Sequence, residues 1–329
     1  MSRKKLTNKK KLLINGSIFI AILLLIGGIY VSNLYTKTKN IVNESHEKLE
    51  RDEDKSNLRA EKVDPLQDNV SVLFLGVDTS EHRNYGEKSR TDAIILATFN
   101  KQKSSVKLLS IPRDTLVYVP EVGYNTKINH AHFHGGPDAT VETVEEFLNV
   151  PVDYFVRMNF EAFVQVVDAL GGIMFDVPYE IVESNSQDQK NTIHLLPGYQ
   201  ELDGEEALAL ARTRKYDSDV DRGKRQQEII KAIAGKATSM GSVFKLGNVI
   251  EAIGDNMKTN LSFDDMKSFL SYGLAEDISL ETIQLEGKGG YIQGGWYYII
   301  DEESQLQVQK ELRTHLNLSP TANPQLTIN

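Results

Sequence analysis

The sequence predicts an α/β domain with a central mixed β-sheet flanked by helices on both faces, set after one N-terminal transmembrane helix. Three observations carry this reading. Short continuous apolar runs such as "VSVLFLGV" and "AIILATFN" alternate with amphipathic segments such as "NFEAFVQVVDAL" from about residue 70 onward. Glycine and proline sit between them as stop signals, as in Gly171-Gly172 and Pro112. A single long apolar run, Leu12 to Val31, follows a purely basic flank.

That run is long enough, as a helix, to cross a bilayer. It lacks the short apolar core and small-residue cleavage site of a removable signal peptide. Arg3, Lys4, Lys5, Lys9, Lys10 and Lys11 precede it without an acid. The charge rule then keeps residues 1–11 in the cytoplasm, makes 12–31 the anchor and sends the rest outside. The expected protein is therefore a single-pass type II protein of the cell membrane with an extracellular catalytic domain.

There is no cysteine, which removes disulfides, thiolate metal sites and a cysteine nucleophile. The net charge is −9, and setting aside the six basic residues of the first 31 leaves −15. An acidic external domain is a poor nucleic-acid binder, so no nucleic-acid partner is expected. Any basic cluster inside it opposes the overall field and is informative for that reason.

Residues 32–69 are polar and charged, with Ile41, Val42 and Leu49 as sparse apolar positions. They read as an extracellular stalk or spacer ending near Pro65. The folded domain is expected over 70–319 and a frayed tail over 320–329. Val70–Val77, Ala93–Asn100 and Val106–Pro112 read as buried strands. "YFVRM", "IMFDV" and "ISLETIQL" read as further strands. Helices are expected over Pro137–Leu148, Asn159–Leu170, "DGEEALALAR", "RQQEIIKAIAGKA" and "EESQLQVQKELRTHL", and in Phe263–Leu270 with Ser262 as a cap.

Two acids fall where such sheets bind ligands, beyond strand ends. Asp78 follows the first strand and Asp92 stands before the second, in "SRTDAIIL". If the two strands are neighbours, both carboxylates reach one edge. Carboxylates without His or Cys suit a hard cation such as Mg²⁺. The plainer reading is that both aspartates cap turns. In "SIPRDTLV", Pro112 should end the third strand and present Arg113 at the same edge, aimed at phosphate rather than paired with Asp114.

The stretch "ARTRKYDSDVDRGKRQQE" admits three readings: an anion clamp, a calcium loop, or a solvated charged turn. The calcium loop fails because its sixth position, counted from Asp217, is Arg222 rather than glycine. In the clamp, Arg222 and Gln226 share a helix face that continues through Ile229, Ile230 and Ile233. Arg212 and Arg214, two apart at the end of the preceding helix, point one way if the chain is extended. Guanidinium forks match phosphate oxygens and keep their charge.

The motifs "LFLGVDTS", "SRTD", "LLSIPRDTLV", "KIN", "VDALGG" and L-x-G-x-x-A-L-x-x-x-R-x-R-x(7)-R-x-x-R-Q occur in order. On them the chain resembles the LytR-CpsA-Psr (LCP) family of Gram-positive bacteria, from about Val70 to Ile233. The resemblance implies an enzyme that moves a glycopolymer, such as a teichoic acid or a capsular or secondary wall polysaccharide. The donor is a polyprenyl-pyrophosphate-linked polymer, and the acceptor is a muramic-acid hydroxyl of peptidoglycan at the plasma membrane. The product is a phosphodiester. By motif position, Asp78 and Asp92 look like ligands of Mg²⁺, with Mn²⁺ a possible substitute. Arg90, Arg113, Arg212, Arg214, Arg222 and Gln226 look like the pyrophosphate set. Asp92 or Asp114 is a candidate base beside Arg113. Some members carry a further arginine where this chain has Val117, so that contact is either absent or supplied by Lys127.

An apolar pocket for the prenyl chain could be lined by "FVQVVDALGGIMF" and the "EIIKAIAGKA" helix, although ordinary core is the plainer reading of both. His130, His132 and His134 would share one face of a strand, as a zinc site wants, but no fourth ligand follows. A lipid pyrophosphatase and a membrane-anchored transcription attenuator are the alternatives. The short cytoplasmic tail argues against the second.

Overall fold

A computed structural model describes residues 35–78, 89–214, 219–239, 249–250, 253–273 and 278–319. Its centre is a six-stranded mixed sheet. The strands are β1 (Val70–Val77), β2 (Thr91–Asn100), β3 (Ser105–Ser110), β6 (Tyr154–Asn159), β11 (Met257–Thr259) and β12 (Ser279–Ile283), in the order β11-β6-β1-β2-β3-β12. β1 is parallel to β6 and antiparallel to β2, β2 is antiparallel to β3, and β12 is parallel to β3. The start of β2 therefore lies at the same sheet edge as the ends of β1, β3, β6 and β12. This edge carries the candidate site.

Strand alternation divides the apolar residues between two faces. Leu73, Leu75, Ile94, Leu96, Leu109 and Phe155 enter one core, packed under helices α2 (Asn129–Leu148) and α7 (Glu302–His315). Val72, Phe74, Phe99 and Val156 face the other way, toward α3 (Phe160–Ala169), α5 (Asp219–Ser239) and α6 (Phe263–Gly273). A third cluster joins α3, α5 and α4 (Gly204–Arg212) to β7 (Ile173–Val177), β8 (Ile181–Glu183), β9 (Ile193–Leu195) and β10 (Gly198–Leu202). The mixed sheet with helices on both faces is as the sequence predicts.

The expected caps and stops are present. Asn159 accepts from Ala162 N at 2.9 Å to start α3, and Gly171 and Gly172 follow its end with φ of 77° and 80°. Asp203 and Glu206 form a capping box on α4. Ser262 Oγ accepts from Asp265 N at 3.1 Å at the start of α6.

Three expectations are corrected. Residues 35–69 are not a free stalk. Helix α1 (35–45) buries Val42, and Glu47 N donates to Thr259 O at 2.8 Å beside a His46–Thr259 bridge. Arg59 forks onto Asp153 at 2.9 and 2.6 Å, and Leu49 enters the main core. A few apolar and arginine anchors thus hold a segment whose average composition reads as spacer. The folded unit accordingly starts upstream of residue 70. Second, His130, His132 and His134 begin helix α2 rather than a strand, so their alternate spacing does not bring them to one face. Third, several short strands escape the sequence reading: β4 (Leu116–Val119) with β5 (Tyr124–Lys127), the β7–β10 region beyond "IMFDV", β11, and the hairpin of β13 (Gly287–Ile292) and β14 (Gly295–Ile300). The transmembrane run 12–31, the tail 1–11 and the tail 320–329 lie outside the described residues. Among the described residues no helix is long and apolar enough to cross a membrane.

Candidate functional site

The site starts from a defect in the β1–β2 ladder. Gly76 pairs with Ala93 but Val77 pairs with Thr91, so Asp92 is the extra residue of a β-bulge. Bulges re-aim a side chain out of the regular pleat. Here the Asp92 carboxylate meets the Arg113 guanidinium, which arrives from the turn after β3. Arg214 Nη2 stands 3.9 Å from the same carboxylate oxygen, and Arg222 Nη2 donates to the Asp92 backbone carbonyl at 3.4 Å. Four residues distant in sequence thus converge on one strand start.

The arginines are held by α4 and α5. At the end of α4, Thr213 leaves the helix with ψ of 140°, which extends the chain so that Arg212 and Arg214 both reach the cleft. Arg225, 8 % exposed, fixes that exit: it donates to Leu210 O and Thr213 O, each at 2.7 Å, and to Tyr179 Oη at 3.1 Å. It is therefore a positioning residue rather than part of the clamp. On the next turn Gln227 donates to Leu108 O at 2.8 Å and Ile283 O at 3.1 Å, tying α5 to β3 and β12. At Gly223 a Cβ would stand 2.6 Å from Ser110 Oγ, so glycine lets α5 approach the sheet and carries Arg222 to Asp92. The positioning roles of Arg225 and Gln227 are not visible in the sequence, because most of their partners are backbone carbonyls.

Behind these charges lies a cavity of about 630 Å³, between the sheet and helices α3, α4 and α5. Asp78, Asp92, Arg212, Arg214, Arg222 and Gln226 line its polar end. The remainder is mostly apolar, with Phe74, Ile95, Phe163, Val166, Ile230 and Ile233 among its walls, and Asn159 and Glu183 also line it. The volume falls within the roughly 300–1,000 Å³ of small-molecule sites. The face of α5 that continues from Arg222 and Gln226 is therefore cavity wall in part, not wholly packed core. Arg212 also lies 4.6 Å from the Phe160 ring and 3.7 Å from Asp188.

The remaining sequence candidates are placed differently. Asp114 is buried, with Lys127 Nζ 2.8 Å from one carboxylate oxygen and Arg113 Nε 3.8 Å from the other, and it does not line the cavity. Lys127 is thus Asp114's partner, and Val117 is core. Arg90 sits 6.0 Å over the Phe133 ring, away from the cavity lining. Residues 215–218, including Asp217, lie outside the described residues. Among the described residues no three His, Cys, Asp or Glu side chains cluster as a metal site. His132 Nδ1 donates to Ser89 O at 2.7 Å, and burial lowers its pKa to about 4, with Arg157 adding to the effect.

The profile of the LytR_cpsA_psr family matches residues 32–314. The chain belongs to that family. An uncharacterised protein of Staphylococcus aureus (strain NCTC 8325 / PS 47) is 45 % identical over 307 residues, covering 92 % of this chain and 76 % of that protein. The polyisoprenyl-teichoic acid–peptidoglycan teichoic acid transferase TagT of Bacillus subtilis (strain 168) is 38 % identical over 96 % of this chain and 98 % of its own. Among solved structures, TagT bound to LIIa-WTA superposes with a TM-score of 0.72 at 39 % identity, over 83 % of this chain and all (100 %) of that one. TagT with bound octaprenyl pyrophosphate lipid gives a TM-score of 0.68 at 36 % identity, over 83 % and 100 % of the two chains. The family match reaches into 32–69, in keeping with the packing of that segment on the domain.

Proposed function

We propose that this LytR_cpsA_psr protein transfers a teichoic acid or similar anionic glycopolymer from a polyprenyl-pyrophosphate carrier to a muramic-acid hydroxyl of peptidoglycan. The observation that carries the reading is the two-ended cavity: cations at one end and a deep apolar wall behind them. A prenyl pyrophosphate has the same two-ended chemistry. Relatives named as teichoic acid transferases, and a relative holding octaprenyl pyrophosphate, support it.

In the reaction the acceptor oxygen bonds to the phosphorus that carries the glycan. The bridging P–O bond to the second phosphorus breaks, and prenyl monophosphate leaves. Charge grows on the leaving phosphate, and Arg212, Arg214 and Arg222 are placed to bind it at the cavity's polar end. Arg113 orients the Asp92 carboxylate from just outside the cavity lining. Gln226, whose Nε2 donates to Ala211 O at 3.3 Å, lends an amide oxygen or a second hydrogen. The proton of the acceptor goes more reasonably to Asp92, which faces the cavity, than to Asp114, which is held by Lys127. Arg90, over Phe133, stands outside the cavity lining.

Asp78 and Asp92 would hold Mg²⁺. The donor set fits: the cavity's polar end offers carboxylates and no His or Cys, and two protein carboxylates suffice where phosphate and water complete the shell. The ion would neutralise pyrophosphate oxygens and polarise the phosphorus. The protein would be anchored through 12–31 with this domain outside the cell membrane.

The test incubates the full-length chain with Mg²⁺, a lipid-pyrophosphate glycan and peptidoglycan oligomers. A covalent glycan–peptidoglycan phosphodiester is expected. Loss of pyrophosphate donor to water alone would make the protein a pyrophosphatase, and no turnover of either kind would remove the enzyme reading.

A further inference from the structure

The hairpin β13–β14 leaves the sheet just after β12, so it rises from the same edge as Asp92 and Arg113. It is joined to the Arg113 turn directly: Tyr298 N donates to Asp114 O at 2.9 Å, and Thr115 bridges Tyr298. Tyr298 itself is buried and anchors the hairpin. Its neighbour Tyr297 points to the opposite face of the hairpin. The residue across from Tyr297 is Gly290, which has no side chain to cover it. A Cβ at Gly295 would stand 2.9 Å from Tyr297 Cε2, so the ring lies over glycine backbone. Lys127 Nζ is 5.8 Å from the centre of that ring.

The neighbouring hairpin continues the surface. Leu116 pairs with Lys127 and Tyr118 with Asn125, so strand alternation places these four on one face of β4–β5. Tyr118 is 46 % exposed and Asn125 is exposed. A strip therefore runs outward from Asp114 through Lys127 and Tyr297 to Leu116, Tyr118 and Asn125. It presents aromatic rings beside a cation and an amide, next to the site but outside the cavity.

Stability alone does not call for Tyr118 at an exposed strand position. A sugar ring, by contrast, needs an apolar platform for its C–H face and donors around its hydroxyl rim. Position adds the second argument. The cavity takes the prenyl pyrophosphate, so an attacking hydroxyl must enter from outside, past Arg113. This strip borders Arg113 through Asp114 and Lys127, neither of which lines the cavity. We infer that the strip formed by Tyr297, Tyr118, Asn125 and Lys127 binds the acceptor, a glycan strand of peptidoglycan, with the two rings under its sugars. Lys127, already beside Asp114, then also meets a stem-peptide carboxylate. This inference rests on the transfer reaction proposed above.

The test uses full-length protein and soluble peptidoglycan oligomers of several sugars. Tyr297→Ala and Tyr118→Ala are each expected to raise the acceptor KM by about 3–10-fold, the double variant by more, with donor KM and kcat at saturation little changed. Tyr297→Phe and Tyr118→Phe should restore wild-type KM, because the ring remains. A melting temperature is recorded for each, so that loss of folding is not read as loss of binding. An unchanged acceptor KM in a folded double variant overturns the assignment. So does a rise confined to donor KM, which would give the strip to the donor's polymer instead. If the wild type transfers nothing, calorimetric binding of the oligomers to the wild type and the double variant decides separately. Binding that is lost in the variant upholds the surface, and equal or absent binding overturns it.

Discussion

The two faces of the central sheet are comparably apolar but are covered in different ways. On one, Leu73, Ile94 and Leu96 are closed under α2 and α7, each at most 1 % exposed. On the other, Phe74 and Ile95, from the same two strands, line the 630 Å³ cavity beneath α3 and α5. Adjacent residues of one strand thus do opposite work. The solid face holds the fold together, and the hollow face leaves apolar surface for a ligand to bury. The same helix serves both ends: α5 approaches the sheet closely at Gly223 and carries Arg222 to its edge, while its next turns, at Ile229, Ile230 and Ile233, line the cavity.

The largest expected effect sits where the hollow face meets the charges. Arg113→Ala and Asp92→Ala should each lower polymer transfer by about 10²–10³-fold, measured in the full-length assay, while thermal unfolding shows a folded domain. A stable Arg113→Ala variant with wild-type transfer would detach the bulge from the chemistry.

The next effect belongs to the solid face. Leu96→Ala should destabilise the protein by about 2–5 kcal/mol in denaturant titration, because a void opens among fully buried neighbours. Ile230→Ala, on the cavity wall, should cost about 1 kcal/mol, since it enlarges an existing space. That variant should instead weaken binding of a prenyl pyrophosphate. Equal stability losses at the two positions would mean the cavity closes in solution.

A pH dependence of similar or smaller size follows from two buried histidines. His315 lies between Thr98 Oγ1 at 2.8 Å and Ser105 Oγ at 2.9 Å, and burial, assisted by Lys107 and Lys103, lowers its pKa to about 4. His132 is lowered to about 4 as well, chiefly by burial. In the unfolded chain both titrate near 6.5. Between those values the unfolded state binds more protons, so stability is full above about pH 6.5, falls as pH drops toward 4, and levels off below it. Up to about 3 kcal/mol per histidine is at stake, read from unfolding free energies across that window. A His315→Gln variant should flatten part of the slope.

Much of the site was legible because strand ends are legible. An apolar run closing at Val77, and another closing at Ile111 before Pro112, placed Asp78 and Arg113 at one edge once the order of strands was guessed. The i, i+4 spacing placed Arg222 with Gln226. What stayed hidden depended on partners with no sequence signature. Arg225 and Gln227 act mostly through backbone carbonyls, Asp114 is claimed by Lys127 across a short hairpin, and Arg90 finds Phe133. The segment 35–69 has the average composition of a spacer, and specific contacts such as those of Val42, Glu47, Leu49 and Arg59 hold it down.

The sequence by itself determined the longer strands of the central sheet, which helix faces are apolar, and which charged groups stand at element ends, because periodicity and stop signals are local. Tertiary structure alone decided that one apolar face is solid and the other hollow. Hydropathy records that a side chain avoids water, not whether protein or a ligand will cover it. The bulge at Asp92 and the close approach at Gly223 are likewise properties of two strands or a helix and a sheet together, and they turn separate charges into one site.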